Sequence, residues 1–220
     1  MSTSTRPRDE FVEANDLRFH YREWGDPRTR HAVILLHGYA ETCEAWTDTA
    51  TDLAREFRVI AIDQRGHGQS ERATDRDYTR ASQMEDLEAI IESLGLRSVT
   101  LIGHSMGGAN AICYAAEHPE MVSALVVIET APEVLRSGIE TIRRLLATAP
   151  AFDTLDDAIE AFREFFPYAT TEQVERRVRA SLTVNDDGMY VWDFDPIFRD
   201  PTARDRKSTR LNSSHVKRSR

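Results

Sequence analysis

The stretch Ser98-Val-Thr-Leu-Ile-Gly-His-Ser-Met-Gly-Gly-Ala-Asn110 decides the fold of this 220-residue chain. Its apolar residues 99–102 predict a buried strand, and the residues after Ser105 predict a helix. Between them lies a sharp turn, Gly103-His-Ser-Met-Gly107, with the pattern G-x-S-x-G. In a strand–turn–helix context this pattern places the serine hydroxyl at the edge of a sheet, beside the start of a helix. Because N–H groups at a helix start can stabilise an oxyanion, the stretch predicts a nucleophilic Ser105.

The composition is typical of a globular protein with one sizeable core. Hydrophobic residues make up 40% and charged residues 30% of the chain, and no apolar run approaches the roughly 18 residues of a membrane span. Residues 1–10 lack the apolar core of a secretory signal. The cysteines, Cys43 and Cys113, form neither a metal-binding spacing nor a disulfide framework. We therefore expect a cytoplasmic protein, and its net charge of −9 disfavours nucleic acid or an anionic membrane as a partner.

On either side of residues 98–110, predicted strands alternate with predicted helices. Short apolar runs predict buried strands, and a polar Asn15-Asp16 turn predicts a hairpin before them. The predicted strands are 10–14, 17–24, 32–37, 59–62, 98–103 and 124–128, and the predicted helices are 46–57, 79–94 and the residues after Ser105. Such alternation predicts the α/β class, with a mostly parallel, doubly wound sheet.

The alternation stops after residue 131. Residues 132–182 predict three helices, with Ile139, Ile142 and Leu146 on one face of the first, followed by helices at 155–165 and 171–182. Residues 189–194 predict a short extended piece. A helical insertion rich in aromatic residues suits a lid over a pocket. We therefore assign residues 1–131 to a core and residues 132–200 to a helical cap.

The last residues, 205–220, differ from the rest of the chain. They contain six of the 28 Lys and Arg residues and both lysines, Lys207 and Lys217. The sequence from Asp205 to His215 also resembles an in-frame translation of a common sequencing-adapter oligonucleotide. We interpret residues 205–220 as a non-native tail, with an ordinary basic tail as the alternative. His215 is therefore excluded as a catalytic base.

Three motifs follow three predicted strands in order. They are His37-Gly38-Tyr39, Asp63-Gln-Arg-Gly-His-Gly-Gln-Ser70 and Gly103-His-Ser-Met-Gly-Gly108. Together they resemble the α/β-hydrolase family, and the likeness extends over roughly residues 10–204. The chain looks most like the lidded, cofactor-free serine hydrolases, such as esterases and carbon–carbon bond hydrolases. Relatives such as epoxide hydrolases carry an aspartate as the nucleophile, so Ser105 disfavours that group.

The resemblance implies acyl transfer. Ser105 would attack an activated carbonyl of a small-molecule substrate, and water would then hydrolyse the acyl-enzyme. By likeness to the family, the backbone N–H groups of Met106 and Tyr39 would form the oxyanion hole. An ester, lactone, thioester or vinylogous diketone would suit this chemistry. No metal or organic cofactor is implied, and the sequence leaves the oligomeric state open.

Several residues near the motifs are candidates for a substrate pocket. His37 and Gly38 border the predicted oxyanion loop, although a structural role is favoured for His37. His104 adjoins the nucleophile, points away from Ser105 and is expected to line or support the pocket. The aromatic residues are equally consistent with an acyl pocket and with core or lid packing, namely Trp46, Phe165 and Phe166.

The remaining members of a catalytic triad are not evident. In this family an acid and then a histidine follow the serine, but the chain runs from the predicted cap into the tail, without the last two strands. Glu129 could serve as the acid or brace the start of the cap, and His118 reads as a surface residue. Two interpretations therefore stay open: part of a serine hydrolase that lacks its own acid and histidine, or a non-catalytic fragment or binding-only pseudo-hydrolase.

Overall fold

A six-stranded sheet forms the centre of the protein in a computed structural model, which describes residues 6–130, 146 and 151–199. The strand order is β1-β2-β4-β3-β5-β6. The strands are β1 (Arg8–Ala14), β2 (Leu17–Trp24), β3 (His31–Leu36), β4 (Val59–Ile62), β5 (Ser98–His104) and β6 (Val122–Ile128). β1 pairs antiparallel with β2, and β2 with β4, whereas all other neighbours are parallel. The predicted hairpin and the mostly parallel sheet are confirmed.

Helices cover both faces of this sheet because side chains alternate along the buried strands. The helices are α1 (Thr47–Leu53), α2 (Arg80–Ser93) and α3 (Ser105–Glu117). Val33 and Leu35 pack in the cluster that contains Ala50 of α1, whereas Ile34 and Leu36 pack in the cluster with residues of α2 and α3. The helix predicted over 46–57 is shorter than expected, since a 3-10 helix, Cys43–Trp46, precedes α1.

The cap combines two helices with a second sheet. The helices are α4 (Leu155–Phe165) and α5 (Thr171–Arg179), and the sheet has the order β7 (Ala151–Phe152), β9 (Tyr190–Trp192) and β8 (Leu182–Val184). Each helix begins with a capping box, at Thr154 and at Thr170, which satisfies its first N–H groups. The extended piece predicted over 189–194 is confirmed as β9, whereas the helix predicted over 171–182 ends at Arg179, because Leu182 pairs with β9 as the first residue of β8.

Parts of the predicted organisation lie outside the described residues. The first predicted cap helix falls there except for Leu146, which packs in the buried cluster of the cap. The boundary between residues 131 and 132 and the tail 205–220 also lie outside, so both stay predictions. Within the described ranges, no helix is both long and apolar enough to cross a membrane.

Hydrogen bonds of residues 193–195 hold the cap against the loop after β4. The Gly68 N–H donates to the Asp193 carbonyl at 2.8 Å, and the Asp195 N–H donates to the Gly66 carbonyl at 2.7 Å. The Tyr78 hydroxyl also donates to the Asp195 carboxylate, at 2.5 Å. These bonds place the cap against the carboxyl ends of β3, β4 and β5, where the three sequence motifs lie.

Candidate active site

Ser105 lies at the junction of β5 and α3, with a backbone φ of +48°. A left-handed conformation at a non-glycine residue is uncommon and strained, and it is the geometry expected of a nucleophile at a strand-to-helix turn. The turn is close-packed. A Cβ added to Gly103 would lie 2.5 Å from the Gly107 carbonyl oxygen, and one added to Gly107 would lie 2.3 Å from the Leu36 carbonyl oxygen. Only glycine fits at these two positions.

The loop after β3 lies against this junction. The Gly107 N–H donates to the His37 carbonyl at 3.2 Å. A Cβ on Gly38 would lie 2.6 Å from Nδ1 of His104, so the loop approaches the turn too closely for a side chain there. The Tyr39 hydroxyl donates to the Phe198 carbonyl at 2.5 Å, which fixes Tyr39 against the cap segment. The oxyanion-hole roles of Tyr39 and Met106 stay predictions.

His37 is fully buried and bonded to the backbone at both ring nitrogens. Its Nε2 accepts from the Gln64 N–H at 3.0 Å, which leaves Nδ1 to donate to the Gly38 carbonyl at 2.8 Å. Burial lowers the pKa of His37, so the ring is neutral. The ring therefore joins the loop after β3 to the loop after β4. His37 is a candidate pocket residue in the sequence, but its ring has no exposed face that could line a pocket.

The aromatic pocket candidates have different surroundings. Trp46 is 7% exposed and packs in the core cluster with Trp24 and Val33, which favours core packing among the two predicted alternatives. Phe166 packs beside Phe162 within the cap, and the guanidinium of Arg177 lies 4.3 Å from its ring centre. Phe165 ends α4, but its side chain lies outside the described part of the structure.

His104 connects two carboxylates beside Ser105. Its Nδ1 lies 2.9 Å from Oε2 of Glu41, and its Nε2 lies 3.2 Å from Oε2 of Glu129. Burial would lower the pKa of His104, but the hydrogen bond and charge of Glu41 and the hydrogen bond of Glu129 raise it overall. Glu129 is exposed, has a φ of +49°, and directs its carboxylate to His104. This contact joins the end of β6 to the end of β5, and both predicted roles of Glu129, acid and brace, stay predictions.

Glu41 is the residue that the sequence analysis missed. Its side chain is 7% exposed, and its carboxylate contacts the Gly38 N–H, His104 and Arg177 of α5. Burial would raise its pKa, but the bond from His104 and the charges of Arg177 and His104 lower it to about 2. The sequence offers one signal for Glu41, its position three residues after Gly38. Its other partners, His104 and Arg177, lie far along the chain, so no local pattern reveals them.

None of the histidines in the described ranges is bonded to the Ser105 hydroxyl. Five are bonded elsewhere: His20 to Asp63, His31 to Ser98, His37 to Gly38 and Gln64, His67 to the Arg65 carbonyl, and His104 to Glu41 and Glu129. The sixth, His118, stacks on Tyr114 with ring centres 4.3 Å apart. A general base for Ser105 is therefore not found among these six residues.

His20, Cys43 and Asp63 bring three metal-type donors together, all within 4.8 Å of one another and buried. Their spacing in the sequence gave no sign of this cluster. Asp63 already accepts from His20 at 2.8 Å, from the Cys43 N–H at 2.6 Å and from the Gln69 N–H at 3.1 Å. Because Asp63 binds His20 of β2 and the Cys43 N–H at the start of the 3-10 helix, the cluster connects both elements to the loop after β4.

Comparison with known proteins identifies the family. A sequence model described as the alpha/beta hydrolase fold matches residues 31–214. The chain belongs to the α/β-hydrolase family. A crystal structure of an alpha/beta hydrolase from Novosphingobium aromaticivorans DSM 12444 superposes with a TM-score of 0.79 and 29% identity, over 86% of this chain and 68% of that one.

Two curated relatives match part of this chain. Epoxide hydrolase 4 of Mus musculus is 36% identical over 118 residues, which is 53% of this chain and 33% of that protein. A monoacylglycerol lipase of Xenopus laevis is 32% identical over 120 residues, which is 54% of this chain and 36% of that protein. The matched segment thus spans about a third of the length of each relative.

Proposed function

We propose that this chain carries the nucleophile of a serine hydrolase that cleaves an ester-like or other activated carbonyl bond. The observation that carries the proposal is the left-handed backbone of Ser105, φ +48°, between β5 and α3. Ser105 Oγ attacks the carbonyl carbon, and the N–H groups of Met106 and Tyr39 stabilise the oxyanion. The leaving group then departs as the acyl-Ser105 ester forms. Water hydrolyses this ester, releasing the acid and free Ser105.

Ser105 favours an ester-like substrate over an epoxide, and relatives named for each of these two chemistries match the chain. One relative is named for hydrolysis of monoacylglycerol, which is an ester, and another for hydrolysis of epoxides. Epoxide hydrolases of this family carry an aspartate as the nucleophile, so Ser105 favours hydrolysis of an ester. The substrate class proposed for this site is therefore a small molecule with an activated carbonyl.

We further propose that a longer form of the protein supplies the general base and its orienting acid. The six histidines of the described ranges are engaged elsewhere, and the Glu129 carboxylate is directed to His104. The same observation favours a second candidate function, a binding-only pseudo-hydrolase, in which Ser105 performs no chemistry. Reaction of Ser105 with a covalent probe separates the two.

The test is labelling with a fluorophosphonate, followed by peptide mass spectrometry, for the 220-residue chain and for an extension encoded by its gene. We expect an adduct on Ser105 at a trace rate in the short chain and a rate at least about 100-fold higher in the extended one, since a base is worth about 10²–10⁴. Ser105→Ala should abolish the adduct, and the matched control Ser123→Ala should retain it. An extended protein that stays unlabelled would favour the binding-only function.

A further inference from the structure

Three separate parts of the molecule meet at the Glu41 carboxylate. Its Oε2 accepts from the Gly38 N–H at 2.9 Å and lies 2.9 Å from Nδ1 of His104. Its Oε1 lies 2.7 Å from the Arg177 guanidinium. Gly38 belongs to the loop after β3, His104 precedes Ser105, and Arg177 belongs to α5 of the cap. One buried charge thus connects the cap, the loop and the nucleophile turn.

The hydrogen bonds show which groups are charged in this cluster. Both ring nitrogens of His104 face carboxylates, and a neutral imidazole can donate through only one nitrogen. The two bonds therefore form together when the ring is an imidazolium. The groups facing it are Glu41 from the loop after β3, Glu129 after β6 and Arg177 from α5, and His37 is close enough for an electrostatic interaction.

The cap itself orients the guanidinium that reaches Glu41. Arg177 lies over the Phe166 ring at 4.3 Å, which holds its side chain against α4. The next residue along the loop, Thr42, donates from Oγ1 to the Ala180 carbonyl at 2.8 Å, directly after α5. Two adjacent loop residues are therefore bound to the same end of one cap helix, so a displacement of α5 would pull on the loop.

We propose that Glu41 is a positioning residue that couples the cap to the loop carrying Tyr39. The loop contains a strained residue, Ala40 with φ +62°, and the Gly38 N–H in it is buried. When α5 is seated, Arg177 holds the Glu41 carboxylate in place to accept from Gly38. When α5 moves away, Gly38 loses its fixed acceptor. The catalytic consequence rests on the proposed function, because it assumes that the Tyr39 N–H binds the oxyanion.

The first test measures hydrogen exchange of the Gly38 amide by NMR in the 220-residue chain. Arg177→Met keeps the apolar stem and removes the charge, and we expect Gly38 exchange to accelerate at least about tenfold. The matched control is Arg176→Met, because Arg176 is on the same helix but pairs with Asp48 and Glu172. Arg177→Lys should restore slow exchange. Equal Gly38 exchange in both Met variants and the wild type would overturn the coupling.

The second test follows the His104 ring, and it does not depend on enzymatic activity. Glu41→Gln should lower the pKa of His104 because a carboxylate is lost, whereas Arg177→Met should raise it because a repelling charge is lost. If Glu41 and Arg177 only filled space, their substitution would not shift the pKa of His104 in opposite directions. An unchanged pKa of His104 in both variants would contradict the proposal. If both tests succeed while Ser105 stays unlabelled by the fluorophosphonate, the coupling holds and the proposed hydrolase function fails.

Discussion

At the scale of the residue, the site depends on glycines, because backbone atoms of neighbouring segments occupy the space that a side chain would need. A Cβ on Gly107 would lie 2.3 Å from the Leu36 carbonyl oxygen and 2.6 Å from that of His37. Neither atom belongs to a flexible side chain, so β3 and α3 would have to separate. That separation would also break the bond from the Gly107 N–H to the His37 carbonyl. The fit of one residue thus sets the distance between the loop after β3 and the turn that contains Ser105.

Gly107→Ala is therefore expected to destabilise the protein although alanine favours helices. The propensity gain of about 1 kcal/mol is outweighed by overpacking, which typically costs 1–3 kcal/mol and is worse against backbone. We expect a net loss of about 1–2 kcal/mol in urea unfolding and loss of the fluorophosphonate labelling of Ser105 in the extended protein. The control is Gly188→Ala, where a Cβ meets nothing within 4 Å and only the φ of +81° is strained. It should leave labelling intact, and equal labelling in both variants would contradict the argument.

At the scale of the element, the loop from Asp63 to Ser70 makes stability depend on pH. His67 is buried in it and donates from Nδ1 to the Arg65 carbonyl. Burial lowers the pKa of His67 to about 3, and repulsion from His37 once that ring is also protonated acts in the same direction. A lowered histidine pKa means that the folded state needs the neutral ring. Stability is therefore complete above the unfolded pKa of about 6.5 and falls as pH decreases toward 3.

The free energy of unfolding should thus fall between pH 6 and pH 5 by at most about 1.4 kcal/mol per pH unit for each buried neutral histidine. His37 contributes with the same sign. His20 and His104 have raised pKa values, so their stabilisation is already complete below 6.5 and adds no slope in this window. His67→Asn, which keeps a donor to Arg65, should roughly halve the slope in urea titrations. An unchanged slope would show that His67 is protonated in the folded protein.

Elements could be predicted from the sequence where their contacts are local. The Ser105 turn follows from five consecutive residues, and helix α4 was predicted over 155–165 because its apolar face and its Thr154 cap lie within one segment. Of the cap sheet, the sequence predicts only the extended piece that contains β9, since β7 has two residues and β8 three, too few to show alternation. The Glu41 cluster was missed because its partners come from β5 and α5, and nothing in the local pattern reveals a pairing between distant elements.

At the scale of the whole molecule, the two edges of the main sheet differ. β1 forms one edge and is rich in charged residues, Arg8, Asp9, Glu10 and Glu13, which oppose pairing with another strand. β6 forms the other edge among the described residues, and its sequence Val-Ser-Ala-Leu-Val-Val-Ile carries no charge. Residues 125–128 of β6 are each 36–45% exposed. Because successive side chains point to opposite faces, apolar surface is exposed on both sides of this strand.

The 220-residue chain is therefore expected to self-associate through β6. An apolar edge strand with unpaired N–H and C=O groups favours pairing with a second strand. Sedimentation velocity should show mass increasing with protein concentration, and the double variant Val126→Lys, Ile128→Lys should shift the chain toward the monomer by placing charge on one face of the edge. Phe11→Lys on β1 is the matched control, since Phe11 is 39% exposed at the opposite edge. It should associate as the wild type does. Loss of association in the Phe11 variant alone would place the contact at β1, and the charge of that edge would then not protect it.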